Sequence, residues 1–156
     1  MNNKIIHLNY RPARTSDLRK LIELLANDPL GQNREDSTLP INPRYLRALE
    51  HIDNDSNNVL YVVEQGSILA GMLQLTFIPS LTHTGSWRCQ LEGVRVHQDF
   101  RNRGIGSQMF EFAIQQAKDR GCSLVQLTSD KMRQEAKRFY ESIGFTATHE
   151  GMKLKL

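Results

Sequence analysis

Apolar residues recur along this chain in two alternating periods. Ile5–Tyr10 alternates as a strand does, and Thr15 or Ser16 then stands where a cap belongs, ahead of Leu18, Leu21, Ile22 and Leu25 on one helical face. Asp28-Pro-Leu-Gly ends that helix. Asn42-Pro43 opens a second, with proline at the first helical position, and it carries Tyr45, Leu46, Leu49 and Ile52. Two β-rich runs follow, Val59–Glu64 and Ile68–Ile78, and Gln65-Gly66-Ser67 between them is short enough for an antiparallel hairpin.

After a loop at Pro79–Ser86, Trp87, Cys89 and Leu91 place apolar side chains at odd positions, whereas Val94 and Val96 place them at even ones. A strand changes face midway only by inserting a residue, so a β-bulge is expected at Glu92-Gly93. From Ser107 the period is helical, with Met109, Phe110, Ala113, Ile114 and Ala117 on one stripe and Gly121 as the stop. Cys122–Thr128 reads as a strand, Arg133–Ile143 as a helix ending at Gly144, and Phe145–His149 with Met152–Leu156 as a closing pair of strands. The order β-α-α-β-β-β-α-β-α-β-β predicts an α/β or α+β layered fold, a sheet with helices packed on its faces.

At 156 residues and 39% hydrophobic content, one domain spanning 1–156 is expected. No apolar run reaches 18 residues and the start has no apolar stretch of signal length, so a cytoplasmic protein is expected and a membrane partner is not. Cys89 and Cys122 lie in strand-like runs without metal-ligand spacing, and read as two reduced, buried thiols. The net charge is only +3, which does not argue for nucleic acid, but basic residues cluster at Arg95–Arg103 and Lys131–Arg138. A local basic patch suits a small polyanion such as a nucleotide cofactor.

The segment between the bulged strand and the next helix is Arg101-Asn102-Arg103-Gly104-Ile105-Gly106-Ser107. Helix N-termini carry unpaired N–H groups and partial positive charge, so a glycine-opened turn there makes an anion site, to which Arg101 and Arg103 add charge. A Walker A loop would need lysine after the second glycine, where Ser107 stands, and a dinucleotide fingerprint would need a third glycine where Met109 stands. Neither fits.

Arg-x-x-Gly-x-Gly directly after a bulged strand resembles the acetyl-CoA motif of the GNAT superfamily of N-acetyltransferases, and Ala136-Lys-Arg-Phe-Tyr-Glu-Ser-Ile-Gly-Phe145 resembles that family's C-terminal signature. The resemblance implies a mixed, mostly antiparallel central sheet with helices on both faces and acetyl-CoA as cosubstrate. It implies that amides of the turn, Gly104, Ile105, Gly106 and Ser107, hold the pyrophosphate, and that backbone groups of Val94 and Val96 pair with the pantetheine arm as with an added strand. Many members carry asparagine three residues before the alanine; here Arg133 stands there, and that cofactor contact is not carried over.

Acetyl transfer to an amine requires that the amine lose a proton and the leaving thiolate gain one. Glu92, at the phase break on the strand entering the turn, is placed for the base, directly or through a water, with partial burial raising its pKa; its alternative is a structural or substrate-orienting carboxylate. Tyr140 reads by pattern as a core aromatic with its hydroxyl at the edge, while the resemblance, through the Ala136–Tyr140 spacing, implies the general acid that faces the cofactor sulfur. Cys89 near Glu92 raises a cysteine nucleophile, but no histidine stands at an informative spacing and its phase points to the core. His83, His97 and His149 form no metal pattern, and no metal is expected.

The expected partner is a small-molecule amine, with aminoglycoside-like polyamines and protein amines also open; pairing of two copies is compatible with the sequence. In the family, segments corresponding to Asn27–Asp53 and Pro79–Arg88 shape the amine pocket, but Glu35, Asp36 and Asp53 are offset there by Arg34, Arg44 and Arg47. The competing reading is a catalytically silent module of the same fold that binds acetyl-CoA or nucleic acid for regulation.

Overall fold

The computed structural model describes residues 6–156. They divide into two compact units, one running to Gln126 and the other Leu127–Leu156.

The first unit is built on a five-stranded sheet of order β1-β2-β3-β4-β5: Asn9–Pro12, Asn58–Gln65, Ile68–Pro79, Trp87–Val96 and Cys122–Leu127. The first three neighbouring pairs are antiparallel. The two-residue turn Gly66-Ser67 closes the β2–β3 hairpin, with Gln65 opposite Ile68 and Gly66 at φ 62°. The first strand lies later than expected, and Ile5 falls outside the described residues.

Helices α1 (Leu18–Ala26) and α2 (Pro43–Asp53) cover one face. Their Leu18, Leu21, Ile22 and Leu49 form one buried cluster with Val62 of β2 and Met72 of β3, which are register partners. Asn42 caps α2 as expected, its Oδ1 accepting from the Arg44 amide at 3.1 Å. The cap of α1 is different. A 3-10 turn over Thr15–Asp17 precedes it, and the Asp17 carboxylate, not Thr15 or Ser16, accepts from the Arg14 amide at 2.7 Å.

Asp17 is drawn into that role by Arg11. The guanidinium holds Asp17 by two hydrogen bonds of 2.8 and 3.0 Å and Glu64 of β2 by one of 2.7 Å, so β1, β2 and the entry to α1 share one mostly buried ion cluster. Hydrogen bonding to Arg11 holds both carboxyls below the usual carboxylate range. In the unfolded chain they return to about 3.9 and 4.3. Their contribution is therefore present above that range and lost as pH falls through the lower folded values. Arg11→Met should lower unfolding free energy at pH 7 by about 1–3 kcal/mol. The deficit should narrow as pH falls from 7 to 3 and the carboxyls begin to protonate, a comparison that urea titrations at the two pH values make directly.

The other face carries α4 (Ile105–Asp119). Odd positions of β3, Gly71, Leu73, Leu75 and Phe77, are buried beside Met109, Phe110, Ala113 and Ala117 of this helix. A side chain at position 71 would come within 2.5 Å of the Arg95 carbonyl and 3.1 Å of the Met109 sulfur, so this crossing requires glycine. The Arg120 guanidinium lies 4.6 Å over the Phe77 ring, and the Tyr61 hydroxyl is 3.5 Å from Gln116. Helices thus pack on both faces of a mostly antiparallel sheet. The loop before β4 makes a single left-handed turn, α3 (Thr82–Gly85), with His83 and Thr84 at φ 51° and 61°.

The second unit holds α5 (Gln134–Ser142), which stops before Gly144 at φ 99°. The expected closing strands, Phe145–His149 and Met152–Leu156, are not formed; both segments are irregular and mostly exposed. A lone two-stranded hairpin is marginal without a third strand or a packed face, and these residues bury too little to supply one.

Candidate active site

The phase break in β4 is a bulge. Met72 pairs with Arg95 and Gln74 with Glu92, so Gly93 and Val94 together oppose Leu73. Gly93 takes φ 59°, the left-handed conformation such a bulge asks of its first residue. The insertion puts Glu92 and Arg95, three apart in sequence, on the α1/α2 face, while Leu91 and Val96 share the α4 face.

Each side chain on the first of these faces has a definite neighbour. Arg95 ion-pairs with Asp28 at 3.0 Å, both largely buried, and its NH1 donates to the Val94 carbonyl at 2.9 Å. The other Asp28 oxygen accepts from the Leu30 and Gly31 amides at 2.8 and 2.7 Å. One guanidinium therefore fastens the loop after α1 to the bulge. Glu92 is exposed; the partial burial expected of it is missing, because the bulge sets it beside Gln74, beyond the apolar ground that α1 and α2 cover.

Beyond Val96, His97 caps a 3-10 turn over Gln98–Phe100, its Nδ1 accepting from the Asp99 amide at 3.3 Å. The chain then enters the glycine turn. Asn102 and Gly104 are left-handed, at φ 60° and 74°, and α4 begins at Ile105, two residues before the expected start, with Gly104 as its N-cap. The Gln108 amide is the one that reaches back to the Gly104 carbonyl, at 3.2 Å, so the N–H groups of Ile105, Gly106 and Ser107 have no acceptor within the helix. Nothing lies within 4 Å of a side chain built at Gly104. Arg101 Nε donates to the Val96 carbonyl at 3.2 Å, and Arg103 stacks over Phe100 at 5.6 Å. This is an open, electropositive cradle of three amides rimmed by two exposed arginines.

The first unit thus brings Glu92, Val94, Val96, Arg101, Arg103, Gly104, Ile105, Gly106 and Ser107 onto one strand–turn–helix segment. Tyr140 stands in the second unit, half-buried on α5, its ring 5.7 Å from Phe139 and 6.3 Å from Phe145.

Residues 19–145, which include this strand–turn–helix, match the model of the acetyltransferase (GNAT) family. The chain belongs to that family. A Bacillus halodurans C-125 protein described as a transcriptional regulator is 49% identical, over 96% of this chain and 100% of that one, at a TM-score of 0.92. The Arabidopsis thaliana glucosamine-6-phosphate N-acetyltransferase shares the fold, at a TM-score of 0.76 and 24% identity over 96% of this chain and 98% of that one. An aminoalkylphosphonate N-acetyltransferase of Salmonella typhimurium is 30% identical over 81 residues, and the match spans 52% of each chain.

In this GNAT acetyltransferase the two cysteines are free. Burial pushes the Cys89 thiol up to about 12, which leaves no thiolate for nucleophilic attack at neutral pH. Cys122 is half-buried rather than buried, and burial raises its pKa as well. His83 and His149 are exposed, and among the described residues no group of three His, Cys, Asp or Glu side chains is placed to hold a metal. No helix among them is long and apolar enough to cross a membrane.

Proposed function

We propose that the chain is a single-domain, cytoplasmic acetyl-CoA-dependent N-acetyltransferase that passes the acetyl group directly to the primary amine of a small molecule. The observation that carries this reading is the cradle of unpaired amides at Ile105, Gly106 and Ser107, opened by left-handed Gly104 directly beyond a bulged strand, in a chain of this family. Backbone amides and Arg101 and Arg103 would hold the pyrophosphate, and Val94 and Val96 would pair with the pantetheine arm. Glu92, directly or through a water, takes the proton from the ammonium form of the acceptor. The amine nitrogen then bonds to the acetyl carbon, the carbon–sulfur bond breaks as Tyr140 gives its proton to the thiolate, and the second proton shed by the nitrogen as it becomes an amide restores the Tyr140 hydroxyl through solvent. The aminoalkylphosphonate N-acetyltransferase supports a small-molecule acceptor.

The test is release of free thiol from acetyl-CoA across a panel of amines, with the N-acetyl product identified by mass spectrometry. Glu92→Gln should cut turnover roughly tenfold at neutral pH with acetyl-CoA affinity kept; the drop stays below the ~100-fold typical of general-base catalysis because solvent water reaches an exposed site. The deficit should shrink as pH rises and the amine deprotonates unaided. A normal rate with an unaltered pH profile would leave Glu92 a structural residue.

The 49% identical protein described as a transcriptional regulator favours a second reading, a catalytically silent module of the same fold that binds acetyl-CoA or nucleic acid. No thiol release with any amine, together with specific DNA retention at moderate salt, would establish it.

A further inference from the structure

On the face that α1 and α2 cover, the sheet changes character within one row of residues. Val62 and Met72 are buried, and Leu60 packs against the same apolar cluster. The next positions on this face are Gln74 opposite Glu92, then Asn58, Thr76 and Gln90 in register, with Gln126 of β5 bonded to Gln90. A polar patch over the central strands of a sheet is stable only where its groups are solvated or matched by partners.

The hydrogen bonds decide which atoms this patch presents. Asp55 is held below the usual carboxylate range by the Asn57 amide and the Asn58 side chain, so it is ionised and only accepts. Asn58 must therefore turn its NH2 group to Asp55, at 3.1 Å, and its Oδ1 to the sheet. There Oδ1 accepts from Gln74 Nε2 at 2.9 Å and from the Thr76 hydroxyl at 2.8 Å. This commits one N–H of Gln74, fixes the orientation of its amide and leaves its Oε1 for a ligand. The same logic runs at Gln90, whose Nε2 lies 3.4 Å from the Leu91 carbonyl and whose Oε1 accepts from Gln126 at 2.6 Å, leaving the Gln126 oxygen. Glu92 and Gln74 are cross-strand partners, with side chains about 5 Å apart at their bases. Around Glu92 and Gln74 the patch offers oxygens, one of them charged; the second N–H of each side-chain amide and, farther along the face, the Arg88 guanidinium keep it polar throughout.

We infer that the acceptor is a cationic amine that carries further hydrogen-bond donors, an amino alcohol or amino sugar rather than an alkyl- or arylamine, and that Gln74 is the specificity residue that selects it. This rests on the reading of Glu92 as the residue that receives the amine. A hydrocarbon laid on the same patch would strip water from the amide oxygens and replace it with nothing, whereas hydroxyl and ammonium groups satisfy them.

The experiment compares kcat/KM for 2-aminoethanol and glucosamine with that for propylamine and benzylamine, each referred to its free-base concentration. The thermal shift caused by acetyl-CoA is read in parallel. The donor-bearing amines should be preferred at least tenfold, the worth of about one hydrogen bond. Gln74→Leu should erase that preference through amine KM while leaving the acetyl-CoA shift unchanged, and Gln74→Glu, which keeps an acceptor oxygen, should retain it. Asn58→Leu, which releases the Gln74 amide, should weaken it in the same direction. Preference for propylamine or benzylamine, or an equal effect of Gln74→Leu on both classes, overturns the inference. If acetyl-CoA gives its shift but no amine of either class is acetylated, the inference falls alone; if the shift is absent as well, the underlying acetyltransferase reading falls with it.

Discussion

Acetyl-CoA at a hundredfold excess over Kd should stabilise the wild-type chain by about 2.7 kcal/mol, roughly 5–10 °C in Tm for a domain of this length, and should leave Gly104→Asp where it was. The substitution is informative because it spares the fold. Position 104 has open space around it, and a Cβ added there has no protein atom within 4 Å. Its φ of 74° strains any L-residue, but aspartate tolerates that region better than most and is favoured at a helix N-terminus. What the variant loses is the bare backbone approach and the positive potential that a pyrophosphate needs. Gly104→Asn, of the same size without the charge, should recover part of the shift. A full shift in Gly104→Asp would move the cosubstrate site away from this turn.

Tyr140→Phe should reduce turnover by about 100-fold, the usual worth of general acid catalysis, with acetyl-CoA affinity nearly kept. The ring contacts with Phe139 and Phe145 are between aromatic faces and edges that phenylalanine also provides, so stability should change little. A thioester with a more acidic thiol needs less help from a proton donor and should suffer less from the same change. Equal loss with both thioesters, or loss of stability in proportion to rate, would make Tyr140 a packing residue and assign the proton to water or another group.

Local pattern carried much of this molecule. The helical faces of α1, α2 and α4, the Asn42 cap and the two-residue hairpin turn follow from spacing and turn chemistry, which act over a few residues and so can be read in order along the chain. The bulge in β4 was equally legible, because a sheet with two distinct faces cannot hide a change of phase. The glycine turn and its arginines were legible as chemistry for the same reason: strand, turn and helix start are contiguous.

Other features depended on which strands became neighbours. Arg11 reaches Glu64 across 53 positions, and the Asp17 carboxylate that it holds also takes the Arg14 amide at the entry of α1. Arg95 finds Asp28 only once the bulge has turned it to the α1 face. The polar patch around Gln74 was invisible in sequence, since Asn58, Gln74, Gln90 and Gln126 come from four strands and each alone looks like an ordinary solvated position. Even the orientation of one amide there is fixed through Asn58 by a carboxylate 19 residues away, at Asp55. The closing strands failed for the complementary reason, because alternation proposes a strand but only a neighbour with backbone groups to pair can make one. The sequence by itself thus determined the elements and the contiguous anion cradle, whose forces are local; the tertiary structure decided the exposure of Glu92 and the company it keeps, because cross-strand register is a property of the sheet and of no single strand.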